Sequence, residues 1–317
     1  MSETNRVVVI AGGLSPEREV SLRSGSQVAA ALGRAGVEAE LRDVGTDLLP
    51  ALAEDPPDAV FPVLHGATGE DGTLKEVLEL AGVGYVGARP HACRSAFDKT
   101  AAKAVLARAG LRTPRSVTLP KQAFHDLGAA ELTARITERL GKELFVKPRA
   151  GGSAFGVSRV DEAGQLPQAL MACFGYHDEA LIEERVTGTE IAVGVADLGD
   201  GPVALPAVEI ACEGMYDYAA RYTPGEAEFF CPARVPAHAA EEAARAAVTA
   251  HRALGLRDLS RTDALVTEAG EVVVLETNVS PGMTETSTFP MGLAAAGLEF
   301  GAFCRDLAAR AARRAGR

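Results

Sequence analysis

Three residues in the last quarter of the chain, with an arginine beside them, have the types and spacing to hold a divalent cation. Arg261-Thr-Asp263 and Glu276-Thr-Asn278 flank an Ala269-Gly270 dipeptide. A two-residue loop there makes a hairpin with Asp263 opposite Glu276 and Arg261 opposite Asn278. Period-two alternation then points all four to one face. Two carboxylates and an amide oxygen form a hard-oxygen set suited to Mg²⁺ shared with phosphates. The same residues, taken alone, also read as an exposed cross-strand polar face. Their apolar neighbours Val272, Val274 and Leu275 weigh against that, because carboxylates in a buried hairpin need a partner.

Other segments have weaker signals. In Lys147-Pro-Arg-Ala-Gly-Gly-Ser153-Ala-Phe-Gly156 a strand-end lysine precedes a glycine-rich turn. Backbone N–H groups there can wrap polyphosphate while the ammonium adds charge. The segment has neither Gly-Lys-Ser/Thr nor GxGxxG, and a plain flexible turn is the competing reading. Leu181-Ile-Glu183-Glu184-Arg185-Val186, with Glu190 beyond, is an apolar strand ending in acids. Such an edge offers backbone hydrogen bonds to an adenine and a carboxylate to a ribose, although solvated strand ends also look this way. Asn278-Val-Ser-Pro-Gly282-Met-Thr-Glu-Thr-Ser287 supplies N–H and O–H donors for an oxyanion or a carboxylate, or is simply a turn. Glu17 and His65 follow two of the presumed strands, at the carboxyl ends where open α/β sheets bind ligands. Alone, each is as readily a helix-terminus acid and a core histidine.

These groups need a framework to bring them together. Arg6–Ala11 reads as a buried parallel strand, apolar on both faces. Ser15-Pro16-Glu17 reads as a capped helix start, with the helix running to about Ala35. Strands at Glu38–Val44 and Ala59–Leu64 and a helix at Thr73–Leu80 complete a βα alternation, which implies a small open parallel sheet. A helix from Asp98 to Ala109 opens a second unit, with strands at 116–119, 143–147, 157–160 and 180–184. A third unit has an alternating strand (Ile191, Val193, Val195), an Ala-rich helix (Ala239–Leu254), the hairpin and two closing helices. The expected division is 1–96, 97–185 and 186–317, in line with a 317-residue length.

The net charge of −11 argues against nucleic acid or an anionic membrane as the main partner. No stretch approaches the length of a membrane helix, and the N-terminus lacks a signal-peptide core. The five cysteines are scattered without a CxxC pair, as in reduced cytoplasmic proteins.

Taken in order, EREVSL, LHG…GEDGT, Asp98-Lys99, VKP with its glycine-rich loop, IEE…E, YDY…RY, RTD and ETNVSPGMT resemble the ATP-grasp D-alanine–D-alanine ligases over nearly the whole chain. The resemblance implies an α/β, ATP-grasp fold with an N-terminal open parallel α/β domain. It implies ligation of two D-alanines through an acyl phosphate, for peptidoglycan precursor supply. ATP and two Mg²⁺ (or Mn²⁺) are the implied cofactors, and a homodimer is compatible with it. By the same resemblance Lys99 and Lys147 contact ATP phosphates, Glu183, Glu184 and Val186 line the adenine site, and Glu190 holds the ribose. Asp263, Glu276 and Asn278 hold the metals. Glu17 binds the ammonium of the first amino acid, with His65 nearby. Arg261 and the Gly282 N–H form an oxyanion hole, and Ser287 holds the second carboxylate. Tyr222 completes a hydrogen-bonded set with Glu17 and Ser153.

The chain departs from the family pattern in three places. Arg221 stands where the family usually has lysine, which changes the donor geometry of a substrate contact. The phosphate loop reads Gly-Gly-Ser-Ala-Phe-Gly, bulkier than the usual Glu-Gly-Ser-Ser-Val-Gly. The wall after Gly282 reads Thr-Glu-Thr-Ser-Thr-Phe, and this wall helps to choose the second substrate. Two rival readings are a related ligase joining other amino or hydroxy acids and a non-catalytic nucleotide-binding subunit. A nicotinamide dehydrogenase is disfavoured because the first βα turn lacks GxGxxG.

Overall fold

The computed structural model describes residues 6–212, 214 and 225–315. Its first part has β1 (Arg6–Ala11), α1 (Arg18–Arg34), β2 (Glu38–Asp43), α2 (Leu48–Glu54), β3 (Ala59–Pro62), α3 (Ala67–Glu70), α4 (Thr73–Leu80) and α5 (Pro90–Phe97). The strands form a parallel sheet in the order β2-β1-β3. Alternate residues of β1 enter two different cores. Val7, Val9 and Ala11 pack with Val28 and Leu32 of α1, whereas Val8 and Ile10 pack with Leu48, Leu52, Leu74 and Leu78. That is why the strand is apolar throughout.

The second part has α6 (Lys99–Arg108), β4 (Ser116–Pro120), α7 (Lys121–Leu127), α8 (Ala129–Leu140), β5 (Leu144–Pro148), β6 (Ser158–Val160), α9 (Leu166–Phe174) and β7 (Glu179–Glu184). Its antiparallel sheet runs β4-β7-β5-β6. Asp98 caps α6, accepting from the N–H groups of Thr100 and Ala101.

The third part has β8 (Thr189–Asp197), β9 (Pro202–Ala204), β10 (Val208–Cys212), β11 (Ala227–Phe230), α10 (Ala237–Ala253), β12 (Leu259–Val266), β13 (Val272–Asn278), α11 (Thr288–Ala295) and α12 (Phe300–Ala312). Its sheet runs β11-β10-β8-β12-β13, with β9 also on β8. Alanines 239, 243, 246, 247 and 250 of α10 pack against Ile191, Val193 and Val195. Small side chains at helical spacing let the helix lie close to the sheet.

Three expectations need correction. The hairpin does not close on a two-residue loop. Thr267 N–H donates to the Glu271 carbonyl, leaving a three-residue connection, and a register shift between Asp263 and Ala264 compensates. Past that bulge Asp263 faces Glu276 and Arg261 faces Asn278. A bulge of this kind re-aims side chains beside a site. Ser15 does not cap α1 directly: Glu17 is the capping residue by position, and the Ser15 hydroxyl accepts from the Glu17 N–H and donates to the His65 carbonyl. Finally, α2, α3, α5 and α7 stand where no helix was expected.

The last helix closes the first core. Phe303, Leu307, Ala308 and Ala311 of α12 pack with Val7, Val9, Val28, Leu32 and Phe61. A fully buried Asp258 adds a polar tie, accepting from the Gly87 N–H at 2.8 Å and the Arg314 guanidinium at 2.6 Å. These contacts join the first and third parts of the chain. Among the described residues no helix is long and apolar enough to cross a membrane.

Candidate active site

Two cavities meet at Lys99, the loop residues Gly151, Gly152 and Ser153, and Glu276. One encloses about 520 Å³ between the second and third sheets and is lined by Lys147, Glu183, Glu184, Val186, Glu190 and Asp263. The other, of about 630 Å³, lies against the first sheet and is lined by Glu17, His65, Arg261, Asn278, Gly282 and Ser287. Every site residue expected from the sequence therefore lines one cavity or both, apart from Arg221 and Tyr222, which lie outside the described residues.

In the smaller cavity, burial alone would hold the Glu183 carboxyl protonated, but Lys147 (2.7 Å) and Lys103 beside it win and keep it ionised. Glu183 is 2% exposed, so its carboxylate is committed to positioning these two ammonium groups. Lys103 was not singled out from the sequence. Its signal was there, one helical turn beyond Lys99 on the same face of α6. Glu184 accepts from the Arg115 backbone N–H and guanidinium at the cavity rim.

Where the cavities join, the Lys99 ammonium donates to Glu276 at 2.7 Å and to the Gly151 carbonyl at 3.1 Å. Arg261 grips Asp263 through two parallel bonds of 2.7 Å. Cations of the chain thus already sit on both carboxylates of the hairpin face, as expected of oxygens that attract positive charge. Among the described residues no three His, Cys, Asp or Glu side chains converge. Asp263, Glu276 and the Asn278 amide alone leave coordination positions for phosphate oxygens, which fits Mg²⁺ held jointly with a nucleotide.

The phosphate loop reaches across to the first part of the chain. Ser153 donates its hydroxyl to Glu17. Ser153 and Ala154 have φ of 47° and 57°, a sparsely populated region for residues with a Cβ. Gly66 has a φ of +76°, which favours glycine, and a Cβ there would lie 2.5 Å from Glu17 Oε2; a Cβ at Gly152 would lie 2.9 Å from Oε1, so the Glu17 carboxylate would have to turn aside.

Glu70 is the other group that sequence reasoning passed over. It lies in the quoted LHG…GEDGT stretch, four residues after Gly66, whose N–H donates to it at 2.9 Å. Burial first, then the charge of Glu17, pushes its carboxyl up to about 7. Burial and the Arg261 charge push His65 down to about 4, so the imidazole is neutral near pH 7. The His65 Nε2 is buried with no hydrogen-bond partner among the described residues. Two carboxyls and a neutral imidazole with an unmet polar atom suit a small ligand with an ammonium group.

The shift at Glu70 gives a stability prediction. A group that keeps its proton to about 7 when folded, against 4.5 ordinarily, stabilises the folded state below that window. That stability is lost as pH rises through about 7. Glu70→Gln keeps the acceptor for Gly66 and removes the titration. The melting temperature of the variant relative to wild type should climb between pH 5 and pH 8, by the equivalent of about 3 kcal/mol at most. A pH-independent difference in calorimetric scans would mean that Glu70 stays ionised.

Family models described as D-ala D-ala ligase C-terminus and N-terminus match residues 105–308 and 44–88. The chain is 39% identical over 308 residues to a D-alanine–D-alanine ligase of Bordetella petrii, covering 97% of this chain and 92% of that one. It is 42% identical over 298 residues to one from Oleidesulfovibrio alaskensis, covering 93% and 92%. Two solved structures superimpose over nearly the whole chain. The VanG D-Ala:D-Ser ligase of Enterococcus faecalis gives a TM-score of 0.82 at 30% identity, covering 98% of this chain and 100% of that one. The D-alanine–D-alanine ligase of Bacillus anthracis complexed with ATP gives 0.80 at 29%, covering 99% and 100%. The α/β architecture is accordingly the ATP-grasp fold with an N-terminal parallel domain. With sequence, fold and paired cavities in agreement, the chain belongs to the D-alanine–D-alanine ligase family.

Proposed function

We propose that this protein joins two D-alanines into D-alanyl-D-alanine, converting ATP to ADP and phosphate, and so supplies a peptidoglycan precursor in the cytoplasm. One observation carries the reading: a lysine-lined cavity and a Glu17/His65-lined cavity open into each other at Lys99 and Glu276. ATP fits the first and the amino acids fit the second, so the γ-phosphate meets a carboxylate at the junction. The sequence division at 1–96, 97–185 and 186–317 then assigns the first amino acid chiefly to the first unit and ATP to the cleft between the other two.

In this reading Glu17 and Glu70 hold the ammonium of the first D-alanine and aim its carboxylate at the junction. That carboxylate attacks the γ-phosphorus in line and ADP leaves, giving an acyl phosphate. Lys99 and Lys147 balance charge on the transferring group. Mg²⁺ held by Asp263, Glu276 and Asn278 supplies further neutralisation of phosphate charge when bound. The amine of the second D-alanine then attacks the acyl carbon and phosphate departs. Arg261 and the Gly282 N–H stabilise the oxyanion formed on the way. Glu190 takes the ribose, and Val186 and the backbone beside Glu184 take the adenine. Ser287 takes the second carboxylate, and Tyr222 completes the hydrogen-bonded set with Glu17 and Ser153 that the family resemblance implies. The decisive assay is coupled ADP release over a panel of D-amino acids with mass detection of the dipeptide. ATP hydrolysis without dipeptide, or no ADP with any pair, would overturn the reading and favour a nucleotide-binding subunit.

Closure of the phosphate loop is part of this mechanism, because water must be kept from the acyl phosphate. Amide hydrogen exchange at residues 149–156 should slow when ATP and D-alanine are both present. Unchanged exchange there would count against closure.

A further inference from the structure

Phe155 of the phosphate loop lines the smaller cavity, and its ring stacks on that of Tyr176, with centroids 6.3 Å and planes 26° apart. That spacing is in the range of attractive offset aromatic pairs. Tyr176 lies just past α9, where its N–H donates to the carbonyl of the buried Cys173 at 2.9 Å, and it lines neither cavity. Its ring therefore backs Phe155 from outside the site. The backbone of the next loop residue also runs close to it. Gly156 has a φ of +69°, and a Cβ there would lie 2.7 Å from Tyr176 Cδ2 and 2.9 Å from Pro148 Cγ. The loop thus leaves β5 between Pro148 and the tyrosine ring.

We propose that Tyr176 is a positioning residue for nucleotide binding: by stacking on Phe155 it braces the phosphate loop in the arrangement that serves ATP. The proposal rests on that part of the ligase reading which puts ATP in the smaller cavity. The loop needs such a brace, because Ser153 and Ala154 both have positive φ. Residues with a Cβ keep that conformation only where neighbouring contacts hold it. One contact is the Ser153 bond to Glu17, which crosses to the first part of the chain. The aromatic pair is a second one, made within the loop's own part of the chain and not involving Glu17. It fixes the end of the loop that the serine does not. Without the tyrosine ring the loop has more conformations to give up when its N–H groups gather around phosphate, and that ordering lowers affinity.

The test is calorimetric titration with adenylyl imidodiphosphate and Mg²⁺. Tyr176→Ala should raise the Kd about threefold to tenfold, the range expected of one aromatic pair. Tyr176→Phe keeps the ring and should bind as wild type does. Tyr176 is 65% exposed, so the melting temperature should stay close to wild type in both variants. Without nucleotide, amide exchange in Tyr176→Ala should quicken at residues 151–156 and stay unchanged in the rest of the sheet, which a general loss of stability would not produce. A Kd for Tyr176→Ala within about twofold of wild type would overturn the proposal. So would an equal loss in Tyr176→Phe, which would assign the effect to the hydroxyl. Binding is read here without turnover, so the two readings fail separately. A wild type that binds the analogue but forms no dipeptide overturns the ligase reading alone, whereas a wild type that does not bind it overturns the nucleotide site and this inference with it.

Discussion

Glu276→Gln should keep the fold and lose on the order of a hundredfold or more of its Mg²⁺-dependent turnover. The substitution preserves size and one oxygen but removes the charge at the point where the two cavities join. In the structure that charge holds the Lys99 ammonium at 2.7 Å, and Asp263 stands directly across the hairpin. A neutral amide is a poor ligand for Mg²⁺ beside phosphates, and it leaves Lys99 without its anion. The fold should survive because the Lys99–Glu276 pair is not deeply buried, with side chains 16% and 35% exposed. Pairs of that kind contribute about 1 kcal/mol or less. Melting temperature should therefore stay within a few degrees of wild type, while Mn²⁺ binding in the presence of an ATP analogue, followed by electron paramagnetic resonance, should weaken. Raising Mg²⁺ should restore part of the rate. Turnover close to wild type at ordinary Mg²⁺ would remove Glu276 from the metal site.

The part of the site that was readable in the sequence is the part built on regular strands. Alternation fixed which faces Arg261, Asp263, Glu276 and Asn278 share, and that survived an incorrect turn because a bulge restored the register. Had the three-residue connection run on without the bulge, Asp263 would have faced Leu275. No local pattern distinguishes these cases, since both loops contain Ala269-Gly270. Glu70 and Lys103 were less visible for a different reason. Their roles depend on partners far away in the chain: Lys103 on Glu183, and Glu70 on Glu17. Burial, which raises the one carboxyl and gives the other to two lysines, is a property of the folded cleft. The packing of α12 onto the first sheet was hidden similarly, because an amphipathic closing helix does not name its docking face.

Arg261 should matter more to the transition state than to nucleotide binding. Its guanidinium lines the amino-acid cavity together with Gly282, at the end of the hairpin that also supplies the metal ligands. A carbonyl oxygen there gains negative charge only as the amine attacks. A donor aimed at it therefore accelerates that step without tightening ground-state binding, and losing one such donor typically costs about a hundredfold to a thousandfold in turnover. The competing role is visible in the structure: two of the Arg261 N–H groups are bound to Asp263, which is only 6% exposed. Arg261→Ala removes both roles together, and stranding a buried carboxylate costs about 3 kcal/mol or more, so Arg261→Lys is the sharper variant. Lysine keeps a positive charge for Asp263 but loses the planar fork that serves two acceptors at once. If Arg261 stabilises the oxyanion, Arg261→Lys should lower kcat at least about a hundredfold while the KM for ATP and the melting temperature stay close to wild type. If it only balances Asp263, the same variant should recover nearly full turnover at saturation and show its defect in Mg²⁺-ATP binding.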